Sequence, residues 1–400
     1  MKITDTATPV AIRTLADALA LQARWRPEAI ALRQKRLGLW HPMSWRAVEG
    51  EVAALAAGFS ARGFGAGDTL LLVSHPRAEA LLAALAAQWL GGTVTLADPA
   101  QHDEAFARIV AQADAIHVFA EDQQQVDRVL TVAGAAGRLR TLAYADTRGL
   151  ADYPGSYLVP YGALASVPRN AAEAPRAAAG QVAFRFLDID DDDRVVQWPV
   201  THKDLLQAGR ELIAAERLGA NEVALASRGF TAGGHARYLI APWLLAGFSL
   251  NFPENLGTRD NDRRELGPTL VAGTRETYAR LAALVRSRLP ARGSLTGRAM
   301  ARLLDRGRSS APGLAAALAR RALRDVIGFT RIRSPLLVGP GLDDDTRAFF
   351  DALGVKVRHW PERQAALPVR EAAGEGSSAD GRSGLNVLPG LARQFDWKTT

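Results

Sequence analysis

The chain has 400 residues, 48% of them hydrophobic, a globular composition long enough for two or three α/β subdomains with a sizeable core. It contains no cysteine, which excludes disulfides, thiolate metal sites and a cysteine nucleophile and fits a reducing compartment. The net charge is +7, and Lys2, Lys35, Lys203, Lys356 and Lys398 are the only lysines among 49 basic residues, so the basic surplus is arginine. Such a bias, alongside so much alanine, accords with GC-rich coding; it also suits an anionic partner such as a phosphorylated ligand or a lipid surface. Residues 1–15 carry no apolar run of the kind a secretory signal needs. The most apolar stretch, 70–97, is broken by Pro76, Arg77 and Glu79 well short of a spanning length. A cytoplasmic protein is expected, with peripheral attachment to the inner membrane left open.

In chain order, 13–24 reads as an amphipathic helix with Leu15, Leu19 and Ala23 on one face. Residues 29–45 read as a hairpin around Leu37-Gly38. Helix 46–62 follows, with Val48, Val52, Leu55 and Phe59 at helical spacing, and ends at Gly63. Then strands near 70–73, 94–96 and 115–120 alternate with helices 78–90, 103–113 and 122–133, an order that argues for a parallel sheet.

The stretch 181–206 is the most telling. Val182, Phe184 and Phe186 alternate with Ala183, Arg185 and Leu187, which is strand periodicity. Asp188 and Asp190 to Asp193 form a turn that cannot be buried. Val195 to Trp198 resume an extended run, and Thr201 is an N-cap for a helix through Leu205 and Leu206. Asp188, Asp190 and Asp192 begin like a calcium loop. However, position six is Asp193 rather than glycine and position twelve is Pro199 rather than glutamate, so no metal site is expected there.

The segments AIALRQKRLGLW, WRAVEGEVAALAAGFSARGFGAGDTLLLVSHPRAEAL and EDQQQVDRVLTVAGAAGRLRTLAYADTRGLADYP, in this order and spacing, resemble long-chain fatty-acid–CoA ligases of the AMP-forming, adenylate-forming enzymes. WLLAGFSLNFPENL, GPTLVAGTRETYARL and LRDVIGFTRIRSPLLVGPGLDDDTRAFFDALGVKV continue the likeness, which covers roughly residues 12–365. The resemblance implies the N-terminal domain of an adenylate-forming enzyme: two parallel-sheet α/β subdomains packed together, with the mobile C-terminal lid domain absent. The subdomains are expected at 1–176 and 177–370, the second with an arginine-rich helical segment at 280–325. A low-complexity linker and short apolar tail then fill 371–400, with Leu385, Leu388, Leu391, Phe395 and Trp397 able to dock on the body or a partner.

In the active family the cofactors are ATP, Mg²⁺ and CoA. The phosphates are held by a Ser/Thr/Gly/Lys loop that precedes a helix beginning "SHxN". Here Thr201-His202-Lys203-Asp204 matches that helix start, yet residues 184–200 contain no glycine, serine or lysine. Asp188, Asp190, Asp191, Asp192 and Asp193 stand instead at this degenerate phosphate-loop position. Like charges 4 Å apart repel by about 1 kcal/mol in water and about 4 kcal/mol at an effective dielectric of 20, so an aspartate cluster opposes a triphosphate. His235 alone echoes the family's "LPLAH" and reads as a loop residue. Trp360-Pro361 stand where the resemblance would put Tyr-Gly, with Arg363 and Gln364 in place of its threonine and glutamate. The implied hinge and catalytic lysine would lie beyond the matched region. No catalytic residue, cofactor site or cofactor is therefore expected. Gly273, Thr274 and Arg275, with Gly339 and Gly341, match loops bordering the nucleotide and acyl pocket and are candidates for a residual pocket, although simple strand-to-helix turns explain them as well.

Residues 280–333 hold thirteen arginines against Asp305 and Asp325, with Leu281, Leu284, Val285, Leu289, Met300, Leu303 and Leu304 at helical apolar spacing. A pair of surface helices packed on the body is expected; an anionic membrane surface is the other partner such a segment suits. Aromatic residues are not interleaved with these arginines, so nucleic acid is not an expected partner. Three functions are compatible with this reading: a degenerate acyl-CoA synthetase homologue unable to adenylate and retained as a binding, scaffold or regulatory protein with a protein partner and a residual acyl pocket; an active AMP-dependent ligase subunit completed by another chain; and a peripheral membrane adaptor.

Overall fold

Local signals set the first elements. Thr14 caps the helix Leu15–Trp25 by accepting from the Asp17 amide, while the Asp17 carboxylate returns to the Thr14 amide, a complete capping box. Strands β1 (Ile30–Arg36) and β2 (Leu39–Ser44) pair antiparallel across a two-residue turn in which Leu37 and Gly38 have φ of +48° and +76°, the left-handed pair that matches strand twist. Ser44 then caps the helix Trp45–Ala61. The remaining strands are β3 (Thr69–Val73), β4 (Thr93–Ala97), β5 (His117–Ala120), β6 (Thr141–Tyr144), β7 (Leu158–Pro160), β8 (Val182–Ile189), β9 (Val195–Thr201), β10 (Val223–Leu225), β11 (Ser249–Phe252), β12 (Leu270–Gly273), β13 (Ser334–Val338), β14 (Arg358–Trp360) and β15 (Leu367–Pro368). The computed structural model describes residues 11–132, 138–167, 175–228, 233–291, 294, 297–298, 300, 314–360 and 367–368. The expected linker and tail at 371–400 lie outside them, as do Leu303, Leu304, Arg363 and Gln364. No described helix is long and apolar enough to cross a membrane.

The strands form two sheets. One has the order β14-β13-β12-β10-β11-β1-β2, parallel except for β2. The other has the order β15-β9-β8-β4-β3-β5-β6-β7, parallel from β8 to β7. Sheet membership crosses the expected 176/177 boundary. The hairpin β1–β2 joins strands that follow residue 220, and β8 and β9 join strands that precede residue 165. The chain leaves one sheet, builds nearly all of the other, and returns.

Between the sheets lies the helix Ala78–Trp89, every residue of which is buried. It touches β1 of one sheet and β3 and β4 of the other. A helix apolar all round belongs in an interior, and alanine lets both sheets approach it closely. Its polar residues have partners. Burial pushes the Glu79 carboxyl up, but Arg77 (Nε to Oε2, 3.1 Å) and Arg36 more than offset this and hold it below the usual carboxylate range. Gln88 donates to the Ala183 carbonyl at 2.9 Å. No side chain caps this helix from within; Gln34 on β1 accepts from the Ala78 amide at 2.9 Å and donates to the Pro253 carbonyl at 2.9 Å. Ala86 is fully buried. Its replacement by leucine should destabilise the fold by about 1–3 kcal/mol, read from the urea midpoint at unchanged slope, whereas an unchanged midpoint would mean the sheets do not close on this helix.

Candidate functional site

Parallel strands gather their carboxyl ends along one edge, where loops vary without disturbing the ladder. β3 runs into Ser74 and His75, β4 into Asp98, and β10 into Ser227 and Arg228, and these residues line a common cleft between the sheets. The acidic turn follows the carboxyl end of β8, beside β4.

That turn is a three-residue hairpin loop with Asp193 at φ +61°. Asp190 accepts at its backbone carbonyl from the Asp193 amide (3.0 Å) and donates from its own amide to the Arg194 carbonyl (2.9 Å). Its carboxylate Oδ1 accepts from the amides of Asp192 (3.1 Å) and Arg194 (2.8 Å). Two backbone amides of the turn are thus turned onto a carboxylate of the turn itself. Outside the loop, Arg108 donates to Asp193 through Nη1 (2.5 Å to Oδ1) and through Nη2 to its carbonyl. Among the described residues no three histidine, aspartate or glutamate side chains converge to hold a metal ion.

The helix start after β9 forms as its sequence predicts. Thr201 caps the helix His202–Glu216 in a capping box with Asp204. His202 is fully buried and accepts at Nδ1 from the Leu15 amide at 3.3 Å, tying this helix to the start of the first. Burial lowers its pKa to about 4, and it stays neutral. His235 corrects the expectation of a loop residue. It ends the helical turn Gly233–His235, leads into a π-helical segment Ala236–Ile240, and lies buried with Nε2 3.2 Å from the Ala272 carbonyl. Burial first, and then the Arg228 charge, lower its pKa to about 4 as well.

The candidate pocket residues come together in one place. Gly273 ends β12, and Gly339, at φ +88°, follows β13, its parallel neighbour. Arg275 donates from Nε to the Gly341 carbonyl at 2.6 Å and joins the two loops. Thr274 accepts from Arg228 at 2.6 Å and donates to Glu276 at 2.5 Å. A Cβ on Gly273 would meet Thr277 at 3.0 Å, whereas one on Gly341 would meet nothing within 4 Å. Trp360 packs its ring 5.5 Å from that of Tyr238 and donates to Glu216 at 3.3 Å. Pro361 lies outside the described residues.

Several arginines of 280–333 act within the body. Arg320 donates to the Ala352 carbonyl, Arg324 to Leu353 and Gly354, and Arg331 to Leu266 and Gly267, so their charges complete helix ends. Arg286 pairs with Asp345 at 2.8 Å. Residues 301–313 lie outside the described set. The sequence reading singled out none of the cleft residues Arg228, Arg259 and Arg280. Arg259 sits in a polar run that looks like ordinary surface, and its only signal is a cation at the start of the helix Arg259–Leu266, the end where the helix dipole disfavours it.

The two buried histidines fix a pH dependence. A histidine whose folded pKa lies below its unfolded value of about 6.5 binds its proton preferentially in the unfolded state. The stabilisation is complete above about pH 6.5 and declines as pH falls toward about 4, by up to about 3 kcal/mol per histidine. His202→Gln should flatten the fall in unfolding free energy measured by urea across that window; an unaltered profile would show that His202 is not held neutral.

Residues 19–169 match the AMP-binding enzyme family. No curated protein sequence matches the chain. Solved structures match across both sheets. One is a protein assigned as a long-chain-fatty-acid CoA ligase from Rhodopseudomonas palustris CGA009, at 16% identity and TM-score 0.62 over 86% of this chain and 74% of that one. Another is the A-PCP didomain of carboxylic acid reductase from Segniliparus rugosus in complex with AMP, at 14% identity and TM-score 0.68 over 88% of this chain and 52% of that one. A third is the fatty acyl-adenylate ligase from L. pneumophila in complex with acyl adenylate and pyrophosphate, at 13% identity and TM-score 0.60 over 86% of this chain and 52% of that one. The chain thus spans about half the length of the latter two. Its two-sheet body has the N-terminal domain fold of the adenylate-forming enzymes, and its segment 19–169 resembles their AMP-binding family.

Proposed function

We propose that this chain is a non-adenylating homologue of AMP-forming acyl-CoA ligases, with a binding, scaffold or regulatory role. One observation carries the reading. The turn before the helix start supplies its own anion: Asp190 Oδ1 takes the Asp192 and Arg194 amides, and three further aspartates, Asp191 to Asp193, surround it. A triphosphate would have to displace a covalently tethered carboxylate from those amides and face the others at close range. The half-buried Trp360, fixed between Tyr238 and Glu216, supports the reading at the end of β14. A fatty acyl chain is the candidate ligand of the loops at Gly273 and Gly341, and a protein is the candidate partner; neither interaction needs a bound phosphate.

The chain mixed with ATP, Mg²⁺ and a series of fatty acids should support no exchange of pyrophosphate into ATP; exchange above the protein-free rate would contradict the proposal. The turn itself gives a stability test. Asp190→Ala should cost about 1–2 kcal/mol in urea denaturation because two backbone donors lose their acceptor, while Asp191→Ala should change stability by less than about 0.5 kcal/mol. Equal effects would show that the Asp190 carboxylate does not organise the turn.

A further inference from the structure

The cleft between the sheets holds a carboxylate–imidazole pair that lies apart from the acidic turn. His75 follows β3, and Glu121 follows β5, its parallel neighbour. Glu121 Oε2 accepts from the His75 amide and from the His75 ring at Nδ1, each at 2.8 Å. One carboxylate oxygen thus holds the residue at two points and fixes both the tautomer and the direction of the ring. Arg77 stands 3.5 Å from the other oxygen and balances its charge. With Nδ1 donating, Nε2 carries the lone pair of the neutral ring, and it has no hydrogen-bond partner among the described residues. The ring is half-buried, yet its pKa is raised, because the Glu121 hydrogen bond outweighs burial and the Asp98 and Asp122 charges add to it.

Two cavities meet at this ring. One, of about 360 Å³, lies toward the β1–β2 hairpin and the loop Pro253 to Gly257. The other, of about 250 Å³, lies toward Arg228, Arg259 and Arg280, with Asp98 and Glu276 in its wall. Leu256 borders both. Arg280 is paired with Asp260, and Arg228 is joined to Glu276 through Thr274. The charges of the second cavity are therefore balanced, which suits a neutral molecule that develops charge only as it reacts. Ser74 Oγ donates to the His75 carbonyl at 2.8 Å, and no described hydroxyl bonds to Nε2. A base without an adjoining nucleophile acts on water.

We propose that His75 is the general base of a hydrolytic site for small neutral carboxylic esters, whose acyl and alcohol halves lie in the two cavities. Nε2 takes a proton from water as the water oxygen bonds to the acyl carbon. The carbonyl electron pair moves onto its oxygen, and the guanidinium groups of the second cavity supply N–H donors to that oxyanion. As the tetrahedral centre collapses, the bond from the acyl carbon to the alcohol oxygen breaks, and Nε2 returns its proton to the departing oxygen. The balance is ester and water to carboxylic acid and alcohol. Glu121 is a positioning residue, which orients the ring and stabilises the imidazolium. The site is built on the ends of β3 and β5, not on the turn after β8, so it stands whether or not the chain adenylates.

The test is phenol release from phenyl acetate and phenyl butyrate by the full chain, followed from pH 5 to 9. The expected result is saturable hydrolysis whose kcat/KM rises with pH through a midpoint above about 6.5, the ordinary histidine value, because the ring must be neutral to accept a proton. H75Q should lower kcat/KM about 100-fold or more. H102Q, at an exposed histidine whose side chain does not cap its helix, should leave it unchanged and so excludes general catalysis by surface imidazoles. E121Q keeps an acceptor for both His75 donors but removes the charge, so it should move the midpoint to lower pH. That shift decides the matter even where H75Q fails to fold, since a purely structural role for Glu121 would not produce it. No saturable hydrolysis of either ester, undiminished hydrolysis by folded H75Q, or an unshifted profile in E121Q would overturn the proposal. Ester hydrolysis and pyrophosphate exchange are read separately, so either result can fail without the other.

Discussion

The two sheets are held at one spacing by a helix that has no outer face. Ala78–Trp89 is buried along its whole length, and its start is capped from β1 by Gln34. The candidate sites lie where the strand ends project beyond that helix. The cleft at His75, Arg228 and Arg259 opens between the sheets, with Glu276 and Thr277, which follow β12, in its wall. The turn at Asp190 to Asp193 belongs to the same strand-end edge, but it is largely exposed and contributes nothing to the core. The body of the fold therefore places little constraint on the residues of that turn.

What the turn does with its amides decides the functional reading. A phosphate loop keeps its N–H groups unpaired within the protein so that a ligand can take them. Here Asp190 takes two of them, and Arg108 anchors Asp193 from the neighbouring helix Asp103–Ala113. The aspartates are thus more than unfavourable charges near a polyanion. One of them is already the bound anion, joined to the loop by its own backbone, so its effective concentration does not depend on solution conditions.

Much of this was legible in the residues. Leu37-Gly38 specified a hairpin because a two-residue turn needs left-handed backbone. Thr201 specified a helix start as its N-cap, and the structure adds the reciprocal bond from Asp204. The charge of the acidic turn showed that it must face solvent. Sheet membership was not legible: β1 and β11 are paired across more than two hundred residues, and local periodicity carries no information about a partner so distant. His235 looked like a loop residue because two glycines precede it, and only its contact with the Ala272 carbonyl shows it buried just before a π-helical segment. Arg259 was hidden for a different reason. Among the described residues it makes no hydrogen bond or ion pair, an absence that no sequence displays.

The central claim is that the β8–β9 turn keeps its own carboxylate where the resembled enzymes hold a nucleotide. A crystal of the full chain soaked with ATP and Mg²⁺ tests it directly. The account predicts the turn unchanged, with Asp190 Oδ1 still accepting from the Asp192 and Arg194 amides and no triphosphate against it. Triphosphate density seated on residues 190–194, with those amides rotated onto phosphate oxygens, would contradict it.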